Sequence, residues 1–205
     1  MSAVLQRQTT LDMVYSRLKI SPLMSPNYEW LVCMTASWCA GKSALPDYMG
    51  LEPNQFNKLK NNYFQDSFLP ELAPSGIYND FDRMLEKEDL INLLTRYCKA
   101  NTLEIKWVID IIVAGCLGND HLWQDLGLWS RPQLTALLHF NFPELAAKNT
   151  MDMKWKKFLY RLICCDGSHA ICTAPSCGEC CDFQHCFGAE AGECLIGRHS
   201  AISRI

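Results

Sequence analysis

Apolar residues recur at three- and four-residue spacing through most of this chain, and strict alternation is sustained nowhere. That periodicity predicts helices. Asn27 is placed to cap one running to about Lys42, with Trp30, Leu31, Met34 and Trp38 on one face and Gly41 near its end. Pro53 suits the first turn of another, which turns Phe56, Leu59, Tyr63 and Phe64 inward. Pro70, Pro74 and Gly76 mark residues 69–79 as a loop. After it, Asp80 or Asp82 can cap a helix to about Lys99. Its apolar set is Leu85, Leu90, Leu93, Leu94 and Tyr97, and Glu86, Glu88 and Asp89 form its wet side. Residues 103–117 are apolar on most sides, the pattern of a helix at the centre of a bundle. Ser130 and Gln133 form a capping-box signature with Pro132 in the first turn, opening a helix to about Phe140. Pro143 can start a short one. The last helix, about Thr150 to Cys164, is expected to bury Met151, Trp155, Phe158, Leu159 and Leu162. Lys154, Lys157 and Arg161 share another of its faces.

From Asp166 onward the periodicity stops. Gly167, Pro175, Gly178 and Gly188 punctuate a cysteine-rich stretch, and residues 195–205 look like a tail with little to hold them down. The chain therefore divides into an N-terminal extension (1–26), a helical body (27–165), a cysteine-rich cluster-binding loop (166–194) and a C-terminal tail (195–205). The expected fold class is all-α: a helical bundle-like body with an irregular C-terminal cysteine-rich metal-binding loop.

Charge changes this picture little. A net charge of −3 over 205 residues offers no whole-chain attraction for nucleic acid. No apolar run reaches the roughly 18 residues of a membrane helix. The best candidate, Trp107 to Gly118, is interrupted by Asp110 and Gly115. Arg7, Asp12, Arg17 and Lys19 break up the N-terminus, which lacks the apolar core of a secretion signal. A reducing cytoplasm is therefore the expected compartment. There, clustered cysteines point to metal or redox chemistry more than to structural disulfides.

Eight of the twelve cysteines fall between Cys164 and Cys194. Four of them, Cys172, Cys177, Cys180 and Cys186, are spaced C-x4-C-x2-C-x5-C. Thiolates are soft ligands that select zinc, copper(I) or iron-sulfur clusters. Zinc commonly takes two ligand pairs set a dozen or more residues apart. Four thiolates this close better suit one compact iron-sulfur core, and the C-x4-C-x2-C start matches a known cluster spacing. Zinc, disulfides and reactive thiols stay open as alternatives. Cys164, Cys165, Cys181 and Cys194 are spare, although Cys181 can stand in for Cys180. Cys33, Cys39, Cys98 and Cys116 sit among apolar residues and are expected to be small buried hydrophobes.

Other candidates carry two readings each. His185 and His169 can ligate metal or stay solvated. His121 can touch the cluster from the body or be a satisfied core histidine, and the latter is favoured. Lys154, Lys157 and Arg161 can gather an oxyanion, orient an acidic partner, or form an ordinary wet face. Gly41-Lys42-Ser43 is similar to the end of a phosphate loop, but position 36 is Ala36 and no strand precedes it, so it is a helix end. Leu122, Trp123 and Trp129 are more simply buried than a docking patch.

Two blocks together resemble the NifQ family. One is His121-Leu122-Trp123-Gln124-Asp125-Leu126-Gly127-Leu128 with Ser130-Arg131. The other is Met153-Lys154-Trp155-Lys156-Lys157-Phe158 with Tyr160-Arg161, running on through Ile171-Cys172, Pro175-Ser176-Cys177, Glu179-Cys180 and Cys186-Phe187. The likeness spans about Asn119 to Gly188, and more loosely Trp30 to Gly50. It implies a carrier and not an enzyme. It also implies that Cys172, Cys177, Cys180 and Cys186 bind a molybdenum-iron-sulfur cluster; His121 and His185 are possible additional ligands by their own chemistry and position. Such a protein supplies molybdenum for the iron-molybdenum cofactor of nitrogenase. Its implied partners are the cofactor assembly scaffold and the nitrogenase reductase, with molybdate or a molybdenum donor protein upstream. The alternatives are an interaction module stapled by structural zinc and a thiol-based redox enzyme.

Overall fold

In a computed structural model, which describes residues 3–19, 25–64, 86–166, 186–188 and 190, all regular structure among the described residues is helical. The elements are α1 (Ala3–Leu18), α2 (Pro26–Cys39), a short 3-10 turn (Asp47–Gly50), α3 (Pro53–Tyr63), α4 (Lys87–Tyr97) and α5 (Leu103–Cys116). They continue with α6 (Leu122–Asp125), α7 (Arg131–Asn141), α8 (Pro143–Ala147) and α9 (Trp155–Asp166). No helix among the described residues is long and apolar enough to cross a membrane.

The apolar character of α5 dictates the arrangement. Ten of its residues, from Ile105 to Cys116, are buried. A helix wet on so little of its surface must be surrounded, and α3, α4 and α6 pack on it. Thr102 caps it, its hydroxyl accepting from the Ile105 N–H at 3.3 Å. Each large side chain so buried contributes on the order of 1.5–3 kcal/mol before the entropy of ordering it is counted. Helix α2 lies between α1 and α7, and α4 also meets α8 and α9.

Several expectations hold as drawn. Pro53 opens α3, which buries Phe56, Leu59 and Tyr63. Gly41 follows α2 with φ +66°, the left-handed conformation that a glycine adopts cheaply after a helix. Lys42 N–H then reaches back to the Ser37 carbonyl at 2.8 Å. The Gly-Lys pair is thus a helix end.

Others need correction. The segment set aside as an N-terminal extension contains α1, whose Leu11, Val14 and Leu18 are buried and which packs on α2. Arg7, Asp12 and Arg17 masked that stripe by interrupting it. Asn27 does not cap α2. Ser25 occupies the cap position, and the Asn27 amide instead faces Asn141 across the core. The caps expected at Asp80 and Asp82 lie outside the described residues, within which α4 begins at Lys87. The last helix starts at Trp155, not Thr150, and Met151 is 56% exposed in the turn before it. Only half of the capping box at Ser130 closes as drawn. Its hydroxyl accepts from Gln133 N–H, while the Gln133 side chain accepts from Trp129 N–H at 2.8 Å.

Asn27 and Asn141 are both buried and exchange two amide hydrogen bonds, at 2.9 and 2.7 Å, locking α2 to α7. The second Asn141 N–H donates to the Leu137 carbonyl at 3.0 Å. Removing one partner strands the other, whereas removing both does not. Asn141→Ala should therefore cost about 2–3 kcal/mol in urea unfolding. Asn27→Leu combined with Asn141→Leu should cost less than the two single changes summed.

Candidate metal centre

Of the four thiols read as ligands, Cys172, Cys177 and Cys180 lie outside the described residues, as do His169 and His185. Cys186 is described. It begins a helical turn with Phe187, is half-buried, and packs against the apolar core. Its carbonyl accepts from the Lys154 N–H at 2.9 Å, immediately before α9. Cys164 and Cys165 belong to the last turn of that helix. At 1.5 Å per residue, Cys164 is about 14 Å farther along the axis than Trp155. The spare pair and Cys186 thus stand toward opposite ends of α9.

The corner that receives Cys186 is built on a buried charge. Asp125, at the end of α6, is 2% exposed and pairs with Lys156 in the first turn of α9. The Lys156 ammonium also donates to the carbonyls of Gly118 and Asp120, each at 2.9 Å. All three of its protons are thereby used. Asp125 Oδ1 accepts from the Asp120 N–H at 3.3 Å, and its carbonyl accepts from Ala44 N–H at 2.9 Å. Position 118 must be glycine here, because a Cβ would fall 2.2 Å from the Asp125 carboxyl. Gly127, with φ +75°, lets the chain turn tightly against Ser37, where a Cβ would approach to 2.6 Å.

Beside this pair lies a second polar group. Arg131, opening α7, forks onto the Asp152 carboxylate at 2.6 and 2.8 Å and donates to the Asp152 carbonyl at 2.9 Å. Its Nε stands 3.5 Å from Glu190, whose side chain is only 6% exposed. His121 Nδ1 is 3.8 Å from the same carboxylate oxygen. His121 is therefore not a core histidine. Its side chain is 28% exposed at the start of α6, and its N–H donates to the Gln124 side chain at 3.3 Å. The structure brings His121 and the Cys186 end of the loop to one flank, through Glu190.

Three of the four scattered thiols are poor ligands. Metal binds the thiolate. Burial pushes the Cys33, Cys39 and Cys116 thiols up to about 12, holding them protonated. At Cys116 the nearby Lys156 opposes this only weakly. Cys186 by contrast is half-buried, on the rim of the body.

The cationic face expected on the last helix is only partly formed. Lys154 precedes α9 and uses its backbone to hold Cys186, while Lys157 and Arg161 are exposed. Leu122, Trp123 and Trp129 are buried, as expected. Asp125, Lys156 and Arg131 were given no role in the sequence reading. Asp125 between Trp123 and Leu126 was the available sign, because a charge inside an apolar stretch requires a partner. Nothing near Glu190 marked it.

A family model described as NifQ matches residues 30–188. The chain is 38% identical over 174 residues to "Protein NifQ" of Azotobacter vinelandii, covering 80% of this chain and 89% of that one. It is 32% identical over 168 residues to "Protein NifQ" of Klebsiella pneumoniae, covering 79% and 99% respectively. It is 34% identical over 154 residues to "Protein NifQ homolog" of Sinorhizobium fredii, covering 75% and 66%. No solved structure matches it.

Two measurements check this corner. Lys156→Met leaves Asp125 buried and unpaired, and should cost about 3 kcal/mol in urea unfolding. Adding Asp125→Asn should recover part of that loss. Separately, a thiol raised to about 12 is thiolate in roughly one part in ten thousand at pH 8. Native protein should therefore leave Cys33 and Cys116 unmodified by iodoacetamide at pH 8, labelling faster as pH rises. Urea-unfolded protein should label both, read by peptide mass spectrometry.

Proposed function

The chain belongs to the NifQ family, and on that premise we propose that it carries molybdenum, held with an iron-sulfur core by Cys172, Cys177, Cys180 and Cys186. The family is connected with nitrogen fixation. In the proposed role this protein is a carrier and not an enzyme. It hands its cargo to the scaffold and reductase proteins that assemble the iron-molybdenum cofactor of nitrogenase. Molybdate or a donor protein supplies the metal. A reducing cytoplasm keeps the thiols available.

The observation that carries this reading is the unbroken C-x4-C-x2-C-x5-C spacing inside the family match, with Cys186 tethered to the start of α9. The buried thiols Cys33 and Cys116 are pushed up to about 12, which makes them poor competitors for a metal held by the loop. Three thiolates suffice to hold an incomplete three-iron core. The fourth, or the imidazole of His121 or His185, then completes the shell of the molybdenum. Thiolate ligation is compatible with carriage because it can be exchanged for a recipient's thiolates. No catalytic step is required of any residue.

Oxygen-free full-length protein supplied with iron, sulfide and molybdate should turn brown and retain both metals by elemental analysis. X-ray absorption at the molybdenum edge should show molybdenum–iron scattering. Cys177→Ala or Cys186→Ala should lower bound iron and molybdenum by about tenfold or more. The helical circular dichroism should persist, because the fully buried core residues among those described all precede the loop. A colourless protein holding one zinc would overturn the proposal in favour of a structural staple.

A further inference from the structure

The cysteine loop leaves the body at the C-terminal end of α9 and returns at its N-terminal end, where Lys154 N–H holds the Cys186 carbonyl at 2.9 Å. Cys186 and Phe187 also pack against the apolar core there. Four residues later the Glu190 side chain, 6% exposed, lies 3.5 Å from Arg131 Nε and 3.8 Å from His121 Nδ1. A carboxylate with so little contact with water gains from a cation placed beside it. The Arg131 guanidinium lies within ion-pair range of it, and its buried Nε has no hydrogen-bond partner among the described residues. Both terminal nitrogens are committed to Asp152, in the turn just before Lys154, which leaves Nε for Glu190.

We infer that Glu190 is a positioning residue: its carboxylate clasps Arg131 and His121, fixing the downstream end of the cysteine loop so that Cys186 stays seated at the start of α9. Glu190 lies two residues beyond the family match, whereas Arg131 and His121 lie inside it. The purpose of the clasp rests on the proposed carriage, since a ligand already in place lowers the ordering cost of wrapping a loop around a cluster. The clasp itself needs no metal, and its test begins without any.

The Lys154 amide reports on it directly. Its proton is protected by the Cys186 carbonyl, while the neighbouring Phe158 amide is bonded within α9, to the Lys154 carbonyl at 2.9 Å. Hydrogen exchange on metal-free, full-length protein should show Lys154 exchanging about tenfold faster in Glu190→Ala, with Phe158 unchanged. Glu190→Gln, which keeps the shape and is least able to disturb folding, should accelerate it by a smaller factor. Arg131→Ala should match or exceed Glu190→Ala, and the double variant should be no faster than Arg131→Ala alone. Unchanged Lys154 exchange in Glu190→Ala overturns the clasp. So does equal acceleration at Phe158, which would mean general destabilisation.

Loading with iron, sulfide and molybdate then tests its purpose. Glu190→Ala should release molybdenum to a chelator about tenfold faster than the unaltered chain and show an altered paramagnetic resonance line shape. Identical release and spectra overturn the positioning role. If the unaltered chain itself takes up neither metal, the carrier reading fails, and the positioning role with it, while the exchange result still decides the clasp.

Discussion

A single buried ion pair organises the part of this molecule that matters for its chemistry. Asp125 is almost wholly removed from water, and Lys156 satisfies it while tying down two backbone carbonyls of the turn after α5. Removing a charge from water costs several kcal/mol unless partners replace the lost hydration. The corner between α5 and α7 therefore has to meet the first turn of α9 in one register. Once it does, the residues flanking Lys156 are placed as well. Lys154 presents its N–H outward to Cys186, and Asp152 presents its carboxylate to Arg131. The pair is better understood as a device for register than as a source of net stability, most of which comes from the apolar packing around α5.

That register has a consequence for where a cluster can sit. In the proposed role, a core held by Cys186 would lie near the start of α9, away from the helix end that bears Cys164 and Cys165. The family match runs through both the corner and the loop. One physical reason for pairing them is that a loop of thiols gains little from its own sequence. Ordering it costs entropy, and contacts with the body at its ends offset part of that cost. Polar contacts at the rim do this without competing for the interior, where thiols are kept protonated by burial.

Much of the fold was legible because helix periodicity is a local property. The boundaries at Pro53, Ser130 and Pro143 followed from residues whose conformational preferences act within one turn. The misreadings share a cause. Asn27 has the chemistry of a cap, but its amide found a better partner in Asn141, which is 114 positions away. Met151 is apolar and near a helix, but the helix began too late to bury it. At α1 the apolar stripe of Leu11, Val14 and Leu18 was present yet sparse, and only the surface of α2 gave it something to cover.

By itself, the sequence determined the helical class, the buried status of α5, the membership in a family and the thiols that make soft-metal chemistry possible. These depend on spacing along the chain and on the intrinsic chemistry of side chains. Only the tertiary structure decided that Asp125 belongs with Lys156, that Arg131 turns toward Asp152 and Glu190, and that Cys186 returns to the beginning of α9. The physical reason is that a charge or a hydrogen-bond donor states a need without naming its partner. The partner is chosen by which surfaces the apolar core brings together, and that choice is made in space, between residues far apart in the chain.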